Sequence, residues 1–210
     1  MEKLENTLAN PALDGFSFTG SFGLSRNIRV GVAGLNSSWL STRKDLYKNY
    51  DKLQVESLAD LDLQHLWIGA KQLRAAAISP HMENATIRIA LMHHEPLSEW
   101  YADPDRFTQR QELSRYDFVL RGHQHETQAR IGAKVAGRDD FVELAPGALR
   151  TKPHWYQGFM TTELDLRAGW MRLRAWSVSG RARRWIPDPE FGNGGVELRL
   201  LSDHLRRLGQ

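Results

Sequence analysis

The sequence predicts an α/β core over residues 1–157, built of layered sheet and helices, followed by a β-rich part over 158–210. Three observations predict it. Short apolar runs at 28–34, 86–92, 116–120 and 141–144 each lead into a glycine or proline, as buried strands of an open sheet do. Between the first two lies a stretch with helical period. Beyond Gly158 the apolar period drops to two, with hairpin punctuation.

The first strand is Ile28-Arg29-Val30-Gly31-Val32-Ala33-Gly34, β-branched and ending at a glycine, followed by the polar loop Leu35-Asn36-Ser37-Ser38-Trp39. Asn36 reads as a turn residue there. Residues 41–60 are highly charged and read as a surface excursion. Leu66, Ala70, Leu73 and Ala77 share one helical face, so a helix is expected over 66–77, interrupted weakly by Gly69 and closed by Ser79-Pro80. Thr86 to Met92 is the next strand, stopped by Pro96. Residues 97–115 predict one or two helices broken near Asp103-Pro104. Strands at Tyr116–Leu120 and Phe141–Leu144 complete the core, and Gly147 permits a tight turn after the last of them. In the C-terminal part, Phe159–Leu166 and Trp170–Trp176 flank Arg167-Ala168-Gly169 as a hairpin, with a further strand at 196–201.

Composition narrows the chemistry. With 41% hydrophobic and 25% charged residues in 210, the chain has the make-up of a globular protein. It has no cysteine, which excludes disulfides, thiolate metal sites and a cysteine nucleophile; any metal must be held by imidazole, carboxylate or amide groups. No apolar run approaches the roughly 18 residues that span a bilayer, and the N-terminus lacks a signal-peptide pattern, so a cytoplasmic protein is expected. The net charge of +3 does not imply nucleic acid, although arginines concentrate near the C-terminus.

The residues that carry chemistry stand at strand ends. Gly122-His123-Gln124-His125 directly follows the strand at 116–120. Two imidazoles at i and i+2 of an extended segment point to one side, and the glycine allows the chain to turn. His93-His94 ends the strand at 86–92. Either pair alone is a weak signal, because histidines at strand ends also cap cores. Together they converge on the edge where open α/β sheets place their sites.

At this point the chain resembles a known family. Ile87 to Pro96 with its His93-His94-Glu95-Pro96 end, Asp117 to His125 with its Gly122-His123-Gln124-His125 end, and Ala145-Pro146-Gly147-Ala148 resemble the last third of calcineurin-like metallophosphoesterases. Val32 to Trp39 and Ile68 to Leu73 are also similar, so the resemblance covers about residues 28–150. It implies metal ligation by His123, His125 and His93, with His94 as the alternative to His93. It also implies divalent manganese, iron or zinc, two ions in a complete domain, and a phosphoester (including phosphodiester) substrate. The family's N-terminal D-x-H, G-D-x-x-D and G-N-H-[DE] segments are not found in this sequence. A missing N-terminal half is therefore expected as a partner, with no catalytic residue identified in this chain, which is expected to be truncated and weakly active or inactive alone. Asp117 and Arg121 are expected as framework residues, with Arg121 or Gln124 as candidates to touch phosphate.

Two other readings stand beside this one. A single ion held by His93, His123 and His125 would leave one position open to water. Alternatively the C-terminal part, with Trp170, Trp176 and Trp185 among arginines, is a non-catalytic module contacting nucleic acid or a protein. Against that, Trp170 and Trp176 at even spacing on a strand read as core residues. His65, His81, His154 and His204 lie in polar contexts and are not expected as ligands.

Overall fold

The computed structural model describes residues 10–11, 17–37, 66, 68–96, 101, 111–122, 128–131, 141–146, 157–178 and 184–209. The first sheet is made of β1 (Asn10–Pro11), β2 (Phe18–Gly23), β3 (Arg29–Gly34), β4 (Ile87–Met92), β5 (Phe118–Arg121), β6 (Gln128–Ile131) and β7 (Val142–Ala145). Its strand order is β1-β2-β3-β4-β5-β7-β6. The central strands β3, β4, β5 and β7 run parallel, and the flanking pairs are antiparallel. All four parallel strands therefore end on one edge of the sheet.

Side-chain alternation along these strands separates two cores. Val32, Ile89, Phe118 and Val142 stand in one cross-strand row, and Ala33, Ala90, Val119 and Glu143 in the next. The row of small residues faces the helices α1 (Ala70–Ala77) and α2 (Pro80–Glu83), which pack Leu73, Ala76, Ala77 and Met82 against Ala33, Ala90, Met92 and Val119. Gly31 lets α2 come close: a Cβ there would lie 2.7 Å from Ala85 Cβ and 2.8 Å from Met82 Sδ. Helix α1 starts only at Ala70, with Gly69 extended at its N-cap, so the expected helix over 66–77 loses its first turn. Leu66 instead bridges to Tyr101 as an isolated parallel pair, fully buried. Ser79-Pro80 does more than close α1, because Pro80 opens α2 at the position where a missing N–H costs nothing.

The opposite face is covered by the second sheet. Strands β8 (Gly158–Asp165) and β9 (Trp170–Val178) form the expected hairpin, turning at Gly169 with φ of 75°. Strands β10 (Trp185–Pro187) and β11 (Val196–Leu200) share the other edge of β9 in succession. Along β9, Met171, Leu173 and Ala175 are buried against Val30, Ile87, Phe118, Val142 and Leu144 of the first sheet. Trp170 and Trp176 belong to the other alternation, with Arg172 and Arg174, and lie half-buried on the outward face. The even spacing was a sound strand signal, but core status falls to the odd-numbered residues. Helix α3 (Asp203–Arg207), capped by the Ser202 hydroxyl accepting from Leu205 N, adds Leu205 to this second core. The β-rich part thus lies flat on the α/β sheet as a third layer.

The fold class is α/β, with a mixed sheet parallel at its centre and an antiparallel C-terminal sheet. Strand β2 was carried by the Ser17–Phe22 alternation but was not foreseen, nor were β6, β10 and α3. The charged segment 41–60 and most of 97–115 lie outside the described residues; a helical turn is seen at 111–113.

Candidate metal-binding edge

The edge where the parallel strands end gathers the polar residues of the sheet. Ser37 follows β3, His93, His94 and Glu95 follow β4, Arg121 and Gly122 end β5, and Glu143 lies on β7. Register brings the tips together: Leu35 N donates to Leu91 O at 2.8 Å, and Gly122 N donates to Met92 O at 3.2 Å.

The two histidines take different environments. His94 is 5% exposed, and its Nδ1 lies 3.0 Å from the Ser37 carbonyl. A carbonyl oxygen only accepts, so His94 carries its proton on Nδ1. His93 is exposed, and its ring meets that of His94 edge-on, with centroids 4.7 Å apart and planes at 84°. Its Nδ1 lies over Gly122, where a Cβ would be only 3.1 Å away. Partial burial lowers the pKa of His93 from its ordinary 6.5, favouring the neutral imidazole that a metal requires. Both backbone amides converge on one acceptor, the Ser37 hydroxyl, at 2.8 Å from His93 N and 3.1 Å from His94 N.

Below this turn lies a buried charged group. Arg121 has no side-chain exposure; its Nε donates to Glu143, and its guanidinium stands 3.9 Å from the Glu95 carboxylate. It therefore ties β5 to β7 and to the loop after β4, and does not face solvent. Tyr101, buried beside them, has its phenol pKa raised by burial, with Ser37 and the Arg121 charge pulling the other way. Asp117 sits at the opposite end of β5, accepting from Arg88 N at 2.8 Å, with His204 Nε2 at 3.9 Å. It is a framework group far along the strand from His93.

His123, Gln124 and His125 lie outside the described residues, as do Gly147, His65 and His154. Among the described residues no group of three histidine, aspartate or glutamate side chains could hold a metal ion. His93 fits such an ion as a single neutral donor at the mouth of the edge; the described residues alone do not make a complete site. Ser37 is the residue that sequence reasoning missed. Its segment was recognised, but a serine in a polar loop carries no signal until the strand ends are brought together.

On the outward face of the second sheet, Glu163 answers both Arg172 and Arg174, at 3.2 and 3.5 Å. Phe159 stacks near Trp176 and meets Trp185 edge-on, while Leu198 and Leu200 stand well exposed.

No protein-family model and no curated protein matches the chain. Among solved structures, it is similar to the Vps29 single mutant D62A from Entamoeba histolytica. Identity is 18% and the TM-score 0.29, over 54% of this chain and 54% of that one. The chain spans about half the length of the protein it matches, and a likeness at this level carries no argument about its activity.

Proposed function

We propose that this chain contributes the imidazole side of a metal-dependent phosphoester hydrolase site, in which His93, His123 and His125 hold a divalent manganese, iron or zinc ion. One observation supports it above the others. His93, exposed at the strand end, lies against Gly122, the residue directly before His123, on two adjacent parallel strands paired through Met92 and Arg121. Adjacent strands are about 4.8 Å apart, so donors from their tips fall within reach of a shared ion. His94, turned inward onto Ser37, is the framework partner of the pair. When bound, the metal would supply Lewis-acid polarisation of a phosphoryl oxygen and a bound water of lowered pKa.

The chain's own residues then do three things. His93 brings an imidazole whose pKa partial burial lowers, which favours the neutral form that a metal requires. Gly122 leaves room for its ring. Arg121, locked on Glu143, keeps the two loops at a fixed separation and is not proposed to touch phosphate. All three proposed ligands are neutral, and the sequence carries none of the family's aspartate-bearing segments, so turnover by this chain alone is expected to be low.

Manganese uptake by calorimetry, with hydrolysis of a chromogenic phosphodiester, tests the reading. Weak uptake lost in His93→Ala and in His123→Ala is the expected result. Uptake indifferent to His93 would overturn the ligand set, and robust turnover lost in His123→Ala would overturn the expectation of low activity.

A second reading is favoured by one feature only. Trp170, Arg172, Arg174 and Trp176 share the outward face of β9, as a stacking surface for nucleic acid would require. Glu163 balances that charge, so any binding of single-stranded DNA is expected only at low salt. A salt titration of DNA binding followed by fluorescence anisotropy separates the two readings.

A further inference from the structure

We infer that Ser37 is a positioning residue for the His93-His94 turn, its hydroxyl fixing the two backbone amides and its carbonyl holding the His94 ring in the core, so that His93 is kept beside Gly122. The inference rests on the metal-hydrolase reading and goes beyond it by assigning a role to a residue on a third strand end. Ser37 is 1% exposed and lies one turn beyond β3, held by its own amide donating to Leu35 O at 3.0 Å. Its hydroxyl oxygen accepts from two consecutive amides, His93 N at 2.8 Å and His94 N at 3.1 Å. Its carbonyl accepts from His94 Nδ1 at 3.0 Å.

These three bonds act together. Two successive N–H groups can meet one oxygen only if the chain leaves the extended conformation between them, so β4 must stop at Met92. Once it turns, consecutive side chains no longer alternate across the sheet. The third bond then holds the His94 ring in the core, and His93 is left pointing towards Gly122. Without the hydroxyl, both amides lose their acceptor, that of His94 in a buried place and that of His93 in a part-buried one.

Groups that orient a metal-binding histidine affect metal affinity by about 10–100-fold when removed. The test compares Ser37→Ala with the unaltered chain by two measurements. Amide hydrogen exchange in the metal-free protein is expected to speed up at His93 and His94 in the variant, with β5 amides such as Val119 unchanged. Manganese affinity is expected to fall about tenfold or more. His94→Ala, which removes only the ring contact, is expected to leave the exchange of the His93 amide slow. If exchange at both amides and manganese affinity in Ser37→Ala match the unaltered chain, the inference is wrong while the hydrolase reading stands. If the unaltered chain takes up no manganese, the hydrolase reading is wrong. In that case Ser37 keeps its role only if exchange at both amides has accelerated.

Discussion

Adjacent histidines at a strand end look alike in sequence, and their chemistry divides by what lies within 3 Å of each. His94 sits in the core with a hydrogen bond to the Ser37 carbonyl, so His94→Ala should cost about 1–3 kcal/mol of stability. His93 is exposed, and His93→Ala should change stability by less than about 0.5 kcal/mol. Urea unfolding of both variants checks this, and equal losses would contradict the division. Protonating His93 works against folding, because the partial burial of its ring lowers its pKa. Its contribution is present above the ordinary value of 6.5 and is lost as pH falls through the lowered folded value.

Asp117 shows the opposite sign. Burial raises its pKa above the ordinary 3.8, outweighing the Arg88 backbone hydrogen bond and the charges of His204 and Arg88. The folded chain then holds this proton more tightly than the unfolded one, so stability falls as pH rises from 3.8 through the raised value. Asp117→Asn keeps an acceptor for Arg88 N and should be the more stable protein at pH 7, with the advantage vanishing at pH 3. Unfolding curves at both pH values decide it. Arg121 is costly to remove, because it is buried and paired. Arg121→Met leaves Glu143 buried without its cation and should cost about 3–5 kcal/mol, most of it recovered in the double variant with Glu143→Met. A loss that persists in the double variant would mean that packing, and not charge, is what Arg121 supplies.

The elements owe their positions to small residues as much as to large ones. Gly31, Ala33 and Ala90 form a low surface on β3 and β4 that lets α1 and α2 approach the sheet. Gly31→Ala would push its new methyl into Ala85, Met82 and the His81 carbonyl, all within 3.0 Å, at a cost of about 1–3 kcal/mol. Thermal unfolding of the variant measures it, and an unchanged midpoint would show that α2 can shift freely. Such close approach was not legible in the sequence, where Gly31 is one more small residue in an apolar strand. The parallel strands were legible, because burial on both faces writes itself as continuous apolar runs. The start of α1 was misjudged because Leu66 matches the helical period, yet finds a strand-like partner in Tyr101 from a distant segment.

At the scale of the whole molecule, two sheets share one apolar layer. Leu173, fully buried, lies between them, and Leu173→Ala should destabilise by about 2–5 kcal/mol. The loss should appear in one cooperative transition, with far-ultraviolet circular dichroism and tryptophan fluorescence falling together. Separate transitions would mean that the C-terminal sheet folds apart from the first. By contrast, Leu198 and Leu200 are exposed, and threonine at either position should be tolerated within about 0.5 kcal/mol.

The sequence by itself determined the four parallel strands of the core, the C-terminal hairpin and the arrival of His93 and His94 at a strand end. Each of these depends on local pattern, which period and turn chemistry write directly into neighbouring residues. Tertiary structure alone decided which histidine turns outward, which alternation of β9 is core, and that Arg121 is sealed against Glu143. Those outcomes depend on partners more than 20 residues away, Ser37, Val30 and Glu143 among them. No local pattern records a contact that exists only once distant strands lie side by side.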